Sequence, residues 1–149
     1  MKIYIDADHN GFDMKQRLTE ELTRAGFEVV DVGNTTVDPD DDYPQAAARV
    51  VSAMRASEDD EPRGILLCGS GQGVCIAANR YKGIRASLIW NADEATAARN
   101  DDDCNVLCLP ARYVHTGEAI DLAETWLKTP FAGAARYKRR IKELDAGMQ

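Results

Sequence analysis

The sequence predicts an α/β protein whose parallel sheet is covered by helices on both faces. The first observation is that short β-rich runs alternate with amphipathic helical stretches, as in consecutive βαβ units. The second is that GILLC (64–68) and NVLCLP (105–110) are continuously apolar, which is typical of strands buried on both sides.

Five strands and six helices are predicted along the chain. The strands are KIYID (2–6), EVVDV (28–32), GILLC (64–68), GIRASLIW (83–90) and NVLCLP (105–110). The helices are 12–26, ending at Gly26; 43–56, with Pro44 in its first turn; 74–81; 92–100, capped near Asn91; 115–128; and 133–146. Ligands of such sheets bind at the carboxyl ends of the strands, so we expect a site among the loops after Asp6, Val32, Leu67 and Ile89.

Length, charge and cysteine spacing limit the possible classes of protein. The 149 residues suit one domain, 1–149, and the net charge of -7 argues against a nucleic-acid or anionic-membrane partner. No apolar run approaches the length of a membrane span, and MKIYIDAD enters a strand pattern directly, so we expect a cytoplasmic protein. The four cysteines form no CxxC pair and no zinc spacing, which predicts free thiols.

The segment CGSGQG (68–73) lies between a buried strand and a helix. Its three glycines allow positive φ values and a close approach of the backbone to a ligand. Amide N–H groups at a helix start favour an anion, which would favour the thiolate of Cys68. A tight turn with a buried cysteine fits the pattern equally well. The spacing matches neither a Walker loop nor the usual dinucleotide motif.

The segment DADHNG (6–11) follows the first predicted strand. Asp8 and His9 would project into the crevice at the carboxyl end of that strand. Capping of the next helix by Asp8 or Asn10 is the simpler interpretation for one of these side chains, and it leaves the others available for a site.

Two charged segments lie further along the chain. RYKRR (136–140) places Arg136 and Arg140 on one helix face, where arginine forks suit phosphate oxygens, although a solvated basic face is the commoner meaning. RNDDDCN (99–105) is a dense acidic loop. Metal binding is conceivable there, but adjacent aspartates rarely close a coordination shell, so a solvated loop is the default.

Five segments in order identify a family resemblance over nearly the whole chain. They are DADHNGFDMKQ (6–16), DDYP (41–44), CGSGQGVCIAANRYKGIRA (68–86), NVLCLPAR (105–112) and TPFAGAARYKRRI (129–141). Together they resemble the ribose-5-phosphate isomerase B family, which includes galactose- and allose-phosphate isomerases. The resemblance implies a Rossmann-like three-layer α/β/α sandwich with a five-stranded parallel sheet. It also implies a homodimer or tetramer with sites at the subunit interface, helix 133–146 contacting the partner, and no metal or organic cofactor.

The resemblance also implies roles for individual residues in the interconversion of ribose 5-phosphate and ribulose 5-phosphate. Cys68 matches the base that moves the proton through a cis-enediolate, and Ser70 matches a hydroxyl that moves a proton between the substrate oxygens. A glutamate that some members use as base corresponds to Val74 here, which leaves the role to Cys68. The other matches bind the enediolate through backbone amides (Gly69, Gly71, Gly73), the sugar (Asp8, Tyr43) or the phosphate (His9, Arg112, Arg136, Arg140).

One departure from the family pattern concerns the substrate. Asp101 stands where pentose-phosphate members have a ring-opening histidine, and Asp102 replaces the usual neighbouring asparagine. Either Asp101 opens the ring, alone or with water, or the substrate needs no opening, as for a tetrose 4-phosphate. Ribose 5-phosphate is the favoured substrate. A tetrose 4-phosphate, an allose or galactose 6-phosphate, and a non-catalytic phosphosugar-binding domain are the alternatives.

Overall fold

The computed structural model describes residues 1–147. The strands are β1 (Lys2–Ala7), β2 (Glu28–Asp31), β3 (Arg63–Cys68), β4 (Ala86–Leu88) and β5 (Val106–Pro110). The helices are α1 (Phe12–Arg24), α2 (Tyr43–Arg55), α3 (Gln72–Ala78), α4 (Ala92–Asn100), α5 (Thr116–Lys128) and α6 (Ala135–Ala146).

The five strands form one parallel sheet in the order β2-β1-β3-β5-β4. All residues of β3 and β5, two of the three inner strands, are buried, as their continuous apolar sequences predict. The predicted Rossmann-like three-layer sandwich with a five-stranded parallel sheet is therefore confirmed.

Two apolar cores lie on opposite faces of the sheet, because alternate residues of each strand point to opposite sides. Leu67 and its neighbours pack with α1, α4 and α5 on one face. Leu66 and Cys68 pack with α2 and α3 on the other. The side chain of Cys68 is thus fixed on the α2–α3 face by its register in β3.

Two predicted elements are shorter in the structure. The third helix ends at Ala78, because the Asn79 side chain bonds both backbone groups of Ala86 and turns the chain toward β4. The fourth strand spans only Ala86–Leu88. Before it, the Asn105 side-chain amide bonds the Arg85 N–H and the Gly83 carbonyl, which ends the regular strand pairing there.

Helix α6 differs from the other helices in its packing. None of its residues, 135–146, is buried, and Leu144 is 59% exposed. Within residues 1–147, no helix is both long and apolar enough to cross a membrane.

Candidate active site

The order of the strands creates a crevice at the carboxyl ends of β1 and β3. The chain proceeds from β1 outward to β2, then returns to place β3 on the other side of β1, so the loops after β1 and β3 diverge. The Asp8 N–H donates to the Leu67 carbonyl at 3.2 Å, which joins these two loops at their start.

A cavity of about 180 Å³ occupies this crevice. We call it the Cys68 cavity; its lining residues are Asp8, Asn10, Tyr43, Cys68, Gly69, Ser70, Gly73 and Arg112. Four segments of the chain that lie far apart in sequence thereby contribute to one concave surface. Of the four loops predicted to form the site, those after Asp6 and Leu67 line this cavity, and those after Val32 and Ile89 do not. The start of α2 and the loop after β5 complete the lining.

The CGSGQG loop directs a backbone donor at the thiol. The Gly71 N–H donates to Cys68 Sγ at 3.1 Å. Gly71 has φ 72°, and a Cβ there would lie 2.5 Å from Leu88 Cδ1, so glycine is required on both counts. An N–H···S contact of this kind stabilises negative charge on sulfur, which suits a nucleophile or base.

The remaining cysteines are in environments of a different kind. Burial raises the pKa of Cys104 to about 11 and also raises the pKa of Cys108. Both are therefore neutral thiols that fill space in the core. Half-buried Cys75 packs against the α2–α3 core, and its Sγ donates to the Ala86 carbonyl.

Asp8 shapes the turn that enters α1. Its Oδ1 accepts the N–H groups of Asn10 at 2.9 Å and Gly11 at 3.3 Å. The N-cap position itself is Gly11, which has no side chain to cap with, so the carboxylate of Asp8 supplies the local acceptor. The second carboxylate oxygen remains available to the Cys68 cavity.

Tyr43 closes the cavity from the start of α2. Pro44 follows it in the first turn, which fixes the backbone there. The ring lies against Gly73, where a Cβ would come 2.8 Å from Tyr43 Cζ. Gly73 thus permits the aromatic ring and the glycine loop to approach closely.

Arg112 supplies the positive charge of the cavity. Its N–H donates to the Gly69 carbonyl at 2.9 Å, which continues the β3–β5 pairing beyond the strands. The guanidinium therefore lies over Gly69, and its Nη2 contacts Asn10 Oδ1 at 3.5 Å. An arginine fork in this place suits a phosphate or carboxylate.

His9 lies beside the cavity and pairs with an acidic residue. Asp41 Oδ1 accepts the His9 N–H at 2.9 Å and contacts the ring Nδ1 at 2.8 Å. The hydrogen bond that the imidazole donates to the Asp41 carboxylate raises the pKa of His9. The pair therefore favours a cationic imidazole, which suits an anionic ligand.

A second group of predicted site residues lies apart from the Cys68 cavity. Asp101 and Arg136 come together around Tyr137, whose hydroxyl accepts from Arg136 Nη2 at 3.0 Å. Hydrogen bonds from Asn100 and Tyr137, and the charges of Arg136 and Arg140, lower the pKa of Asp101, which is therefore a carboxylate. We call this group the α6 patch; its members are Asp101, Arg136, Tyr137 and Arg140.

Asp102 is not part of the Cys68 cavity either. It lines a cavity of about 430 Å³ between the edge strand β4 and helices α4 and α6, together with Leu144. Within one chain, then, Asp101, Asp102, Arg136 and Arg140 do not join Cys68, and their roles stay predictions.

Comparison with known proteins identifies the family. A family model described as Ribose/Galactose Isomerase matches residues 3–144. The chain belongs to this ribose/galactose isomerase family. It is 42% identical over 144 residues to a probable ribose-5-phosphate isomerase B of Mycoplasma pneumoniae, covering 97% of this chain and 93% of that one. It is 38% identical over 141 residues to ribose-5-phosphate isomerase B of Mycobacterium tuberculosis, covering 95% and 86%.

Solved structures of the same kind share the fold. A ribose 5-phosphate isomerase from Thermotoga maritima superposes with a TM-score of 0.91 at 42% identity, covering 97% of each chain. Ribose-5-phosphate isomerase B from Mycoplasma genitalium, solved with bound ribulose-5-phosphate, gives 0.90 at 40% identity, covering 97% of this chain and 94% of that one.

Two residues near the site of this ribose/galactose isomerase chain were not predicted from the sequence. Asn10 lines the Cys68 cavity and contacts Arg112, whereas the sequence suggested only a helix cap. Asp41 holds His9 from a loop 32 residues away. Its place in DDYP, two residues before Tyr43, was the available signal, but a run of three aspartates (40–42) does not indicate which one is used. Among residues 1–147, no cluster of His, Cys, Asp and Glu could hold a metal ion.

Proposed function

We propose that this isomerase-family chain interconverts ribose 5-phosphate and ribulose 5-phosphate through a cis-enediolate, with Cys68 as the base. The observation that supports this most directly is the Gly71 N–H aimed at Cys68 Sγ inside a cavity that also holds Asp8 and Arg112. A sulfur that accepts a backbone N–H, next to a carboxylate for the sugar hydroxyls and an arginine for the phosphate, suits enolisation of a phosphosugar.

Residues of the Cys68 cavity account for every proton transfer of the isomerisation. The Cys68 thiolate removes the proton from C2 of the open-chain aldose, and the electron pair forms the C1–C2 double bond of the enediolate. The carbonyl oxygen becomes an oxyanion, which amides of the 69–73 loop stabilise in place. Ser70 moves a proton between O1 and O2, and the Cys68 thiol returns its proton to C1, giving the ketose.

The Cys68 cavity and its surroundings hold groups suited to both the sugar and the phosphate of the ligand. Asp8 accepts from sugar hydroxyls, and Tyr43 packs against the sugar. Arg112 and the cationic His9 face the phosphate, since both favour a dianion. Groups that bind the sugar and the phosphate around one cavity would hold C1 and C2 next to the sulfur.

We also propose that a second copy of the chain completes the site. The α6 patch carries predicted phosphate ligands Arg136 and Arg140, yet lies outside the Cys68 cavity of its own chain. Helix α6 buries none of residues 135–146 and so is free to pack on a partner. A homodimer, or a tetramer of such dimers, would bring the patch of one chain to the cavity of the other. The proposed setting is the cytoplasm.

A second candidate substrate follows from Asp101. As a carboxylate, Asp101 accepts a proton from the anomeric hydroxyl but has none to give the ring oxygen. A tetrose 4-phosphate forms no furanose and needs neither transfer. Turnover of ribose 5-phosphate, erythrose 4-phosphate and allose 6-phosphate should therefore be compared, and a preference for the tetrose would replace the pentose proposal.

The test of the proposed chemistry is Cys68→Ala, with Cys75→Ala as its matched control. We expect Cys68→Ala to lose about 10²–10⁴-fold in kcat, the usual contribution of a positioned proton-transfer group, while still binding ribose 5-phosphate. Cys75→Ala should retain activity, because its thiol lies against the α2–α3 core outside the cavity. Turnover by Cys68→Ala at the wild-type rate would exclude Cys68 as the base.

A further inference from the structure

A second polar cavity lies at the amino ends of the strands, at the opposite end of the sheet from the Cys68 cavity. It measures about 500 Å³ and lies between the start of β3, the segment after α4 and the segment after α5. We call it the Arg63–Arg99 cavity. Its charged lining residues are Glu61, Arg63, Arg99, Asp103 and Lys128.

Two arginines of this cavity are almost completely buried. Arg63 is 8% exposed and Arg99 is 4% exposed. Arg99 Nη1 donates to Asp103 Oδ1 at 2.8 Å and to the Cys104 carbonyl, and Arg63 Nη2 donates to Glu61 Oε2 at 3.2 Å. Nothing in the proposed isomerisation uses either guanidinium, although burying two like charges side by side is costly.

Few negative charges offset these arginines. Asp103 is shared, because its other oxygen accepts from Arg85 at 3.1 Å. The Glu61 side chain is 75% exposed, so water screens its interaction with Arg63. Burial, followed by the nearby charge of Arg99, lowers the pKa of Arg63. The cavity therefore carries uncompensated positive charge within an acidic protein.

Hydrogen-bond donors remain free in this cavity. Arg63 Nε and Arg99 Nη2 donate to no atom of residues 1–147. Trp126 Nε1 is the one fully enclosed side-chain donor without a partner in that part of the chain, so the free arginine donors are reached by solvent. Phe131 adds an apolar wall beside them, and Lys128 lies at the rim.

We propose that the Arg63–Arg99 cavity binds the phosphate group of a small phosphorylated metabolite, at a site separate from the Cys68 cavity. The phosphate accepts hydrogen bonds from the free donors of the two arginines, and the apolar wall packs on the body of the metabolite. A dianion there would neutralise the charge that Asp103 and Glu61 leave uncompensated.

Trp126 provides a local probe of this cavity. The Arg99 guanidinium lies 5.9 Å from the centre of its ring, while Trp90, the only other tryptophan, is 55% exposed. In a Trp90→Phe protein, emission therefore reports on Trp126 alone. Titration with inorganic phosphate should change this emission and saturate. Competitive inhibition of the isomerase by phosphate reports separately on the Cys68 cavity.

Two variants distinguish the sites. In the Trp90→Phe background, Arg63→Gln should weaken the phosphate response of Trp126 by about tenfold or more, and leave inhibition at the Cys68 cavity unchanged. Arg112→Gln should do the reverse. The exposed Lys128→Gln, which does not threaten folding, should weaken the Trp126 response to a smaller extent.

The emission readout needs no isomerase activity, so it remains valid if the proposed reaction is wrong. The absence of any saturable change in Trp126 emission over the whole phosphate titration would overturn the proposal. A response that is lost in Arg112→Gln and kept in Arg63→Gln would overturn it as well, since the phosphate would then be in the Cys68 cavity.

Discussion

The Cys68 cavity and the α6 patch carry residues assigned to one reaction, but the chain builds them in opposite ways. The cavity lies where β1 and β3 end, and its sulfur, amides and carboxylate are fixed by strand register and hydrogen bonds. The two arginines and the tyrosine of the patch lie on α6, a helix without buried residues in 135–146. Sheet packing therefore specifies the positions of the proton-transfer groups, whereas burial in their own chain does not fix the arginines of the patch.

This difference shows which groups the fold holds in fixed positions and which it does not. A parallel sheet holds groups at its switch point within narrow limits, because β1 and β3, whose ends form the crevice, are each bonded on both sides. An exposed helix is held by few contacts, so its arginines are less fixed in position than the groups of the cavity. The comparison is open to four tests.

The largest effect is expected from mixing two inactive variants, Cys68→Ala and Arg136→Ala. If each site joins the Cys68 cavity of one chain to the α6 patch of another, a mixed dimer has one intact site. Random re-association of equal amounts should restore about a quarter of the wild-type activity. The measurement is isomerase activity after co-refolding.

The control mixes Cys68→Ala with an equal amount of the double variant Cys68→Ala/Arg136→Ala. This mixture should remain inactive, because neither chain carries Cys68. No recovery in the first mixture, with dimers present, would place both groups in the same chain's site and contradict the comparison.

Gly73→Ala should disturb the cavity alone. The new Cβ would lie 2.8 Å from Tyr43 Cζ, so the half-exposed ring must move, and a displacement of about 1 Å at a site costs up to about 10²-fold in kcat/KM. Gly117→Ala is the matched control, since a Cβ there meets nothing within 4 Å. Unaltered kcat/KM in Gly73→Ala would show that Tyr43 does not need its present position.

Asp101→Asn tests whether the α6 patch takes part in opening the sugar ring. Loss of the carboxylate removes the proton acceptor for the anomeric hydroxyl, so kcat on ribose 5-phosphate should fall several-fold while turnover of erythrose 4-phosphate is unchanged. Asp101→His, which can both accept and donate a proton, should raise kcat on the pentose. Equal effects on both substrates would assign Asp101 to phosphate or helix positioning instead of ring opening.

The smallest effect concerns the pH dependence of His9. Asp41 raises the pKa of His9 above 6.5, so the cation, and the phosphate affinity it supports, persists at low pH and is lost as the pH rises through the raised value. In Asp41→Asn the pKa should fall toward 6.5, and KM should begin to rise at lower pH. NMR titration of the ring, with His115 as internal reference, measures the shift; an unchanged His9 titration would contradict it.

Much of the fold and part of the site follow from local sequence. The apolar run 64–68 and the glycines after it predicted a buried strand, a turn and the position of Cys68, because these signals act within a few residues. Asn91 was predicted as a cap, and its Oδ1 accepts the Glu94 N–H. Local rules failed where a distant side chain decides the outcome. Asn105 shortens β4 from 20 residues away, and Asp41 orients His9 from 32.

The exposed face of α6 has a consequence for how much activity a given amount of protein delivers. If Arg136 acts in trans, each working site is a bimolecular product, and its abundance follows mass action. Specific activity would then decline on dilution below the dimer Kd, and added substrate, by bridging the two chains, would shift the equilibrium back toward assembly.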